Sequence, residues 1–165
     1  MKYAVSESGD EPEGNIEKLS CQLNCHSKCV DFLRSMVAVM ANRAGLDACH
    51  ANRVALAVDE LFANIAEHGY GGEPGKIECE AHVQCCESGE GELVFDFRDY
   101  ADSGWVYHRC EAGADVCEGD ITPGGLGLKL IHAVADRFEQ QILADGNRWH
   151  LVFSLAQGEK SGTEV

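Results

Sequence analysis

The spacing of apolar residues changes along this chain from a helical period to strict alternation, and this change restricts the folds open to it. From Ser27 to about Ala44, apolar residues recur at three- and four-residue steps, and a second such stretch runs from about Asp47 to His68. The segments "KIECEAHVQC" and "ELVFDFRDY" instead alternate apolar and polar residues, which is typical of half-buried strands. The chain therefore needs both a helical layer and a sheet.

The flanking segments extend the same pattern. "EKLSCQLN" alternates like a strand before the first helix, and Gly45 is placed to cap that helix. "GGLGLKLIHAVADRF" predicts a glycine-rich turn that enters a further helix, and "FEQQILA" and "RWHLVFSLA" predict strands joined at "DGN", a hairpin signal. Two or three helices with a hairpin-connected sheet predict an α+β two-layer sandwich, and a doubly wound parallel fold agrees less well.

The length of 165 residues suits a single domain. Residues 1–15 are rich in Ser, Gly, Glu and Pro and are expected to form a disordered tail, residues 16–157 the domain, and residues 158–165 a frayed tail. The N-terminus lacks the apolar stretch of a signal peptide, and no apolar run approaches the roughly 18 residues that span a bilayer. We therefore expect a cytoplasmic protein.

The charge is strongly acidic, with 13 basic and 28 acidic residues, a formal net charge of −15 and a pI near 4.7. A phosphate backbone or an anionic membrane surface would be repelled, so neither nucleic acid nor a membrane is expected as a direct partner. General solubility explains the charge most simply, and an acidic face that docks a basic protein partner remains a second interpretation.

The nine cysteines form an odd set, which argues against a closed disulfide framework and agrees with reduced thiols. The sequence contains no C-x-x-C pair of the kind typical of structural metal sites. Because free cysteine behaves as a small hydrophobe, structural use is the favoured interpretation, with metal or redox use as the alternative.

The predicted second helix carries polar residues at four-residue steps, Glu60, Asn64 and His68, on a strip beside its apolar stripe. A carboxylate there could take a proton from an attacking hydroxyl, and the amide oxygen of Asn64 could ligate Mg²⁺. The alternative is an ordinary solvated helix face. His68 is more often a packed histidine than a catalytic one.

The glycines of "GGLGL", Gly124, Gly125 and Gly127, precede a predicted helix, where bare backbone can approach a phosphate. A plain packing loop would look similar, and the segment is neither a Walker A sequence nor a full G-x-G-x-x-G fingerprint. Asp99 closes a predicted strand, where it could accept a hydrogen bond from an exocyclic amine or simply start a turn.

Taken in order, "VALAVDELFANIAEHGYGG", "FRDYADSGW" and "PGGLGLKLI" resemble the N, G1 and G2 boxes of GHKL-type ATPases. The chain is most similar to the stand-alone bacterial anti-sigma-factor serine/threonine kinases, which carry E-x-x-x-N-x-x-x-H-x-Y on this helix. The resemblance covers roughly residues 18–156. It implies the Bergerat, or histidine-kinase-like ATPase, fold, a two-layer sandwich with a mixed, mainly antiparallel sheet.

The resemblance also implies residue roles. Glu60 would be the general base, Asn64 would hold the Mg²⁺ that bridges the ATP phosphates, and Asp99 would recognise the adenine amino group. The glycines would cradle the phosphates and anchor a lid formed by residues 103–123. His68 and Tyr70 match as supporting residues. The implied cofactor-binding positions are Asn64, Asp99, Ala101, Gly124, Gly125, Leu126 and Gly127.

The sequence departs from the family pattern at one position. The G1 box usually reads Asp-x-Gly, whereas Ala101 stands where that glycine is expected, so its methyl group is either tolerated or weakens nucleotide binding. Arg109, in the expected lid, and Lys129, after the glycines, could reach a phosphate, although surface solvation is the favoured role for Arg109.

By the resemblance, the protein would phosphorylate a STAS-type anti-anti-sigma protein with ATP and Mg²⁺ and could sequester a sigma factor. Homodimers are frequent in such families, but no pattern here identifies an interface. The rival hypothesis is a non-catalytic module that binds a regulator through the same sandwich. A detached histidine-kinase ATPase domain is a third hypothesis, and it is less attractive because no phosphoacceptor helix pair precedes the fold.

Overall fold

The computed structural model describes residues 18–24, 27–85, 90–102 and 125–155. The expected tails 1–15 and 158–165, the expected lid 103–123 with Arg109, and Gly124 lie outside these ranges.

The described elements follow the predicted order. They are β1 (Lys18–Asn24), α1 (Ser27–Arg43), α2 (Ala48–Asn64), a π-helical turn (Ile65–Gly69), β2 (Lys76–Cys85), β3 (Gly91–Asp99), α3 (Gly125–Val134), β4 (Arg137–Leu143) and β5 (Gly146–Ser154). The five strands form one sheet in the order β1-β2-β3-β5-β4. The predicted α+β sandwich is confirmed.

All neighbouring strands in the described sheet are antiparallel. The mainly antiparallel character is therefore as expected, but no parallel pair occurs among the described strands, so the sheet is not mixed there. The tight β4–β5 hairpin predicted from "DGN" is present, with Leu143 paired to Gly146. Gly146 has a φ of +130° and its Cα lies against the Asp99 carbonyl, where a β-carbon would come within 2.2 Å of the oxygen. This glycine is therefore required by both conformation and space.

The core lies between the helices and one face of the sheet. Alternation along β3 and β5 turns Phe95, Phe97, Trp149 and Leu151 toward the helices, and all of them are almost fully buried. Burial of a side chain of this size stabilises the fold by about 1.5–3 kcal/mol. This packing fixes α2 against the sheet, and with it the strip that carries Glu60 and Asn64.

A short connection joins α1 and α2. Gly45, with φ +70°, donates to the Asn42 carbonyl at 3.0 Å, and Leu46 donates to the Ala41 carbonyl at 2.9 Å. This is a Schellman arrangement, so Gly45 caps the helix as predicted. Asp47 then caps α2 by accepting from the His50 backbone N–H at 2.8 Å. These adjacent caps define where α1 ends and α2 begins.

The end of α2 differs from the prediction. The α-helix ends at Asn64 and continues as a π-helical turn, in which Tyr70 donates its backbone N–H to the Ile65 carbonyl at 3.1 Å. Because a π turn contains an extra residue, His68 does not continue the four-residue strip of Glu60 and Asn64 in the expected way. The expectation of one regular helix from Asp47 to His68 was wrong in its last turn.

Candidate functional site

The first turn of α3 lies directly against the polar strip of α2. A β-carbon placed on Gly127 would lie 2.5 Å from Oε2 of Glu60 and 3.2 Å from Nδ2 of Asn64. Only a glycine leaves both side chains undisturbed at this position. Three residues that the sequence singled out separately are thus adjacent in the structure.

Asn64 is a buried amide with unused hydrogen-bonding capacity. The residue is only 4% exposed, and within the described part of the chain its Nδ2 atom has no hydrogen-bond partner. Leaving a buried donor unpaired costs about 1–3 kcal/mol, so such a group calls for a ligand. An amide that can donate to a phosphate oxygen or offer its own oxygen, beside the carboxylate of half-buried Glu60, suits a Mg²⁺-bound phosphate.

Asp99 closes β3 as predicted, but its carboxylate is already engaged within the protein. The residue is 1% exposed, Oδ1 accepts from Ala101 N and Asn147 Nδ2, both at 3.1 Å, and Oδ2 accepts from Trp149 Nε1 at 2.6 Å. The bond to Ala101 is the Asx turn expected of a turn-starting aspartate. A carboxylate has about four acceptor sites, so capacity for one further donor, such as an adenine amine, remains.

Ala101 is accommodated by the glycine opposite it. The residue is 4% exposed, and a β-carbon placed on Gly69 would approach the Ala101 methyl to 3.3 Å. The methyl group therefore packs toward the π-helical turn, in space left by Gly69. The departure from Asp-x-Gly has a structural compensation in this chain.

Tyr70 ties the end of the π-helical turn to the sheet. Its hydroxyl donates to the Lys76 carbonyl at 2.5 Å and accepts from the Tyr100 backbone N–H at 2.8 Å. It thereby fixes the start of β2 relative to the segment after Asp99. This agrees with the supporting role expected for Tyr70.

The remaining predicted residues are placed as follows. Gly125 begins α3 with Leu126 following it, His68 is half-buried in the π-helical turn, and Lys129 is exposed on α3. Gly124 and Arg109 lie outside the described residues. Their predicted roles stay predictions.

Sequence reasoning missed the two donors from β5 that hold Asp99. Asn147 and Trp149 occupy alternate positions on the face of β5 that is turned toward the core, and their exposed fractions are 2% and 0%. A polar residue on the buried face of a strand needs a buried partner. The alternation in "NRWHLVF" carries this signal, but it does not identify which carboxylate the partner is.

A comparison with protein families finds a match over residues 28–153 to the model described as the histidine kinase-like ATPase domain. No curated protein matches the chain significantly. Among the described helices, none has the length and apolar character needed to cross a membrane. The matched segment exceeds half of the chain and spans α2, Asp99 and α3, and on this basis the chain belongs to the histidine kinase-like ATPase domain family.

Proposed function

We propose that this protein is an ATP- and Mg²⁺-dependent serine/threonine protein kinase of the anti-sigma-factor type. Family membership supports ATP binding and a kinase-like function at the coarser level. The observation that carries the finer proposal is the contact of Gly127 with both Glu60 and Asn64. This contact brings together the Glu60 carboxylate, which can accept a proton, the Asn64 amide, which can ligate a metal, and the backbone of Gly127, which carries no side chain.

Each of these residues has a distinct task in the proposed reaction. Glu60 accepts the proton of the serine or threonine hydroxyl as that oxygen attacks phosphorus. Asn64 would hold the Mg²⁺ of the bound nucleotide through its amide oxygen, and Gly127 lets the phosphates approach the first turn of α3. Bound Mg²⁺ would supply neutralisation of charge on the triphosphate. Asp99 provides the remaining acceptor site for the adenine amine.

The partners follow from the resemblance of the sequence motifs. We propose a STAS-type anti-anti-sigma protein as substrate, with sequestration of a sigma factor as an associated activity, in the cytoplasm and as a homodimer. The formal charge of −15 agrees with regulation through protein contacts and without direct nucleic-acid binding.

The proposal is tested by separating nucleotide binding from phosphotransfer. Calorimetry with Mg-ATP, with and without Mg²⁺, measures binding, and transfer of labelled phosphate to a panel of purified STAS-domain proteins measures activity. Glu60→Gln should keep Mg-ATP binding and lose transfer, whereas Asn64→Ala should lose the Mg²⁺ dependence of binding. Glu67→Gln, an exposed carboxylate on the π-helical turn, serves as the matched control. Unchanged transfer by Glu60→Gln would remove Glu60 as the base.

A non-catalytic interaction module is the second candidate, and the internal hydrogen bonds of Asp99 favour it. Three internal donors already bond to that carboxylate without any nucleotide and leave it a single acceptor site. This candidate predicts that amide exchange in residues 103–123 is unchanged when Mg-ATP is added, whereas a nucleotide-ordered lid would be protected. Phosphohistidine instead of phosphoserine in a partner would indicate the third hypothesis, a detached histidine-kinase ATPase domain.

A further inference from the structure

The face of the sheet turned away from the helices carries a compact group of carboxylate and imidazole side chains. Glu80 and His82 lie two residues apart on one face of β2, and Asp96 on β3 is paired directly opposite Glu80. His150 on β5 is in turn paired opposite Asp96. Ligand atoms of Glu80, His82 and Asp96 all lie within 4.8 Å of one another.

The hydrogen bonds around His82 indicate the tautomer of its neutral ring. Gln84 donates its amide nitrogen to Glu92 Oε2 at 2.9 Å, and its amide oxygen faces His82 Nε2 at 3.2 Å. Because that oxygen can only accept, Nε2 of His82 carries the proton and Nδ1 presents a free lone pair. Within the described residues, this Nδ1 atom is buried and has no hydrogen-bond partner.

Each of the two carboxylates, Glu80 and Asp96, has one oxygen engaged by a neighbouring side chain. His150 Nδ1 lies 2.8 Å from Asp96 Oδ1, so the imidazole donates to that oxygen and leaves the other free. Glu80 Oε1 pairs with Lys18, whose side chain is 52% exposed, at 2.5 Å. Like charges directly opposite on neighbouring strands are destabilising, and one solvated lysine offsets this only in part. A cation between Glu80 and Asp96 would relieve the repulsion.

We propose that Glu80, His82 and Asp96 bind a divalent transition-metal ion of the Zn²⁺ class. One imidazole nitrogen and two carboxylate oxygens with a water molecule complete a tetrahedral set. The Gln84 and His150 contacts are the outer hydrogen bonds that orient such ligands. The imidazole ligand distinguishes this site chemically from the oxygen-rich Mg²⁺ site proposed at Asn64. The Asn64 site lies on the helical side of the sheet. The inference is independent of the proposed kinase activity.

The site lies at the edge of an open concavity of about 620 Å³, lined in part by Ser20, Glu80, Asp96 and Arg148. A metal ion there would crosslink β2 and β3 and would be reached by solvent from the concavity. Its expected effect is on the stability of the sheet, so it can be measured without any enzymatic assay.

The experiment uses Co²⁺ and Zn²⁺ as probes on the full chain, which is kept reduced with a phosphine. Co²⁺ should bind one equivalent with weak d–d absorption and no intense thiolate charge-transfer band, and Zn²⁺ should displace it and raise the unfolding temperature. His82→Gln should lose both effects. Gln84→Leu, which keeps all three ligands, should weaken binding by about 10–100-fold. His50→Gln, an exposed histidine at the start of α2, should behave as wild type.

Three results would overturn the proposal. They are no saturable binding by the wild-type chain, a thiolate charge-transfer band that assigns the metal to the cysteines, and equal affinity in wild type and Gln84→Leu. Circular dichroism of His82→Gln shows whether that variant is folded. If it is not, Gln84→Leu decides the question.

Discussion

Gly127 and Glu60 are in such close contact that any side chain at position 127 would displace the Glu60 carboxylate. The nearest atom to an added β-carbon is Oε2, the mobile end of Glu60, at 2.5 Å, and the next is Nδ2 of the buried Asn64. The first of these atoms can move at low cost, but the second lies in a packed environment. A side chain at position 127 should therefore disturb the candidate site more than it destabilises the fold.

Gly127→Ala should impair ligand binding while leaving the protein folded. Alanine is the better helix former by about 1 kcal/mol, so the free energy of unfolding should change little. Displacement of the catalytic groups by about 1 Å can cost on the order of 100-fold in rate, and we expect a loss of that order in phosphotransfer. Urea denaturation and Mg-ATP calorimetry measure the two effects. Ala133→Ser, at an exposed position of the same helix, is the control. Full activity in Gly127→Ala would contradict the proposed site.

Trp149→Phe should destabilise the fold through Asp99. The substitution removes the indole N–H that donates to Oδ2 at 2.6 Å and leaves a buried carboxylate oxygen without that donor, at a cost of about 1–3 kcal/mol. Denaturation of Trp149→Phe, Asp99→Asn and the double variant gives the coupling between them. We expect the double variant to lose less than the sum of the single losses. If the losses in free energy of unfolding were strictly additive, the hydrogen bond between Trp149 and Asp99 would contribute nothing to stability.

The sequence predicted the elements and the three boxes because their signals are local. Apolar periodicity, the Gly45 cap and the "DGN" hairpin depend on nearby residues and need no knowledge of the rest of the chain. The motif order then brought Glu60, Asn64 and Gly127 into one hypothesis, and the structure places them in contact.

The features that the sequence did not predict depend on contacts between distant segments. The bonds of Asp99 to Asn147 and Trp149 join residues 48 and 50 positions apart, and no local pattern specifies them. The packing of Ala101 against Gly69 is likewise invisible in the sequence, although it explains how the altered G1 box is accommodated. The π-helical turn at the end of α2, which is followed by Gly71 and Gly72 at positive φ, was not predicted from the apolar spacing either.

Tyr70→Phe should loosen the connection between the π-helical turn and the sheet. The lost hydroxyl leaves the Lys76 carbonyl and the Tyr100 N–H without this partner, and we expect a loss of about 1–3 kcal/mol in the free energy of unfolding. Native-state amide exchange at Tyr100 should become faster. Tyr100→Phe removes instead a hydroxyl that donates to Glu78 at 2.7 Å, and it should leave exchange at that amide unchanged. Equal exchange rates in both variants would exclude the proposed link.

The described cysteines should differ sharply in their reactivity. Burial raises the pKa of the Cys79 thiol well above its usual value, with a further contribution from neighbouring Cys21. Because the thiolate is the reactive form, Cys79 should resist alkylation at neutral pH, whereas the exposed Cys49 and Cys85 should react readily. Peptide mapping after brief treatment with iodoacetamide measures each site, and the same treatment in urea provides the control. Modification of Cys79 at the rate of Cys49 in the native protein would contradict its burial.

Because of Glu78, part of the free energy of unfolding should vary with pH in the acidic range. Hydrogen bonds from Lys76 and Tyr100 lower the pKa of Glu78 below its usual value of 4.5. A lowered folded-state pKa means that this stabilisation is fully present above the unfolded-state pKa and disappears as the pH falls through the folded-state pKa. Since the Glu78 side chain is 41% exposed, the contribution should be below about 1 kcal/mol.

Glu78→Gln should therefore be less stable than the wild type at neutral pH and equal to it once Glu78 is protonated in acid. Urea denaturation of both proteins across this range gives the difference directly, and added salt should reduce it because the group is partly solvated. Glu139→Gln, an exposed carboxylate on β4, serves as the control for the loss of one negative charge. A difference that persists unchanged at a pH far below 4.5 would mean that the substitution acts through packing and that the ion pair with Lys76 does not stabilise the fold.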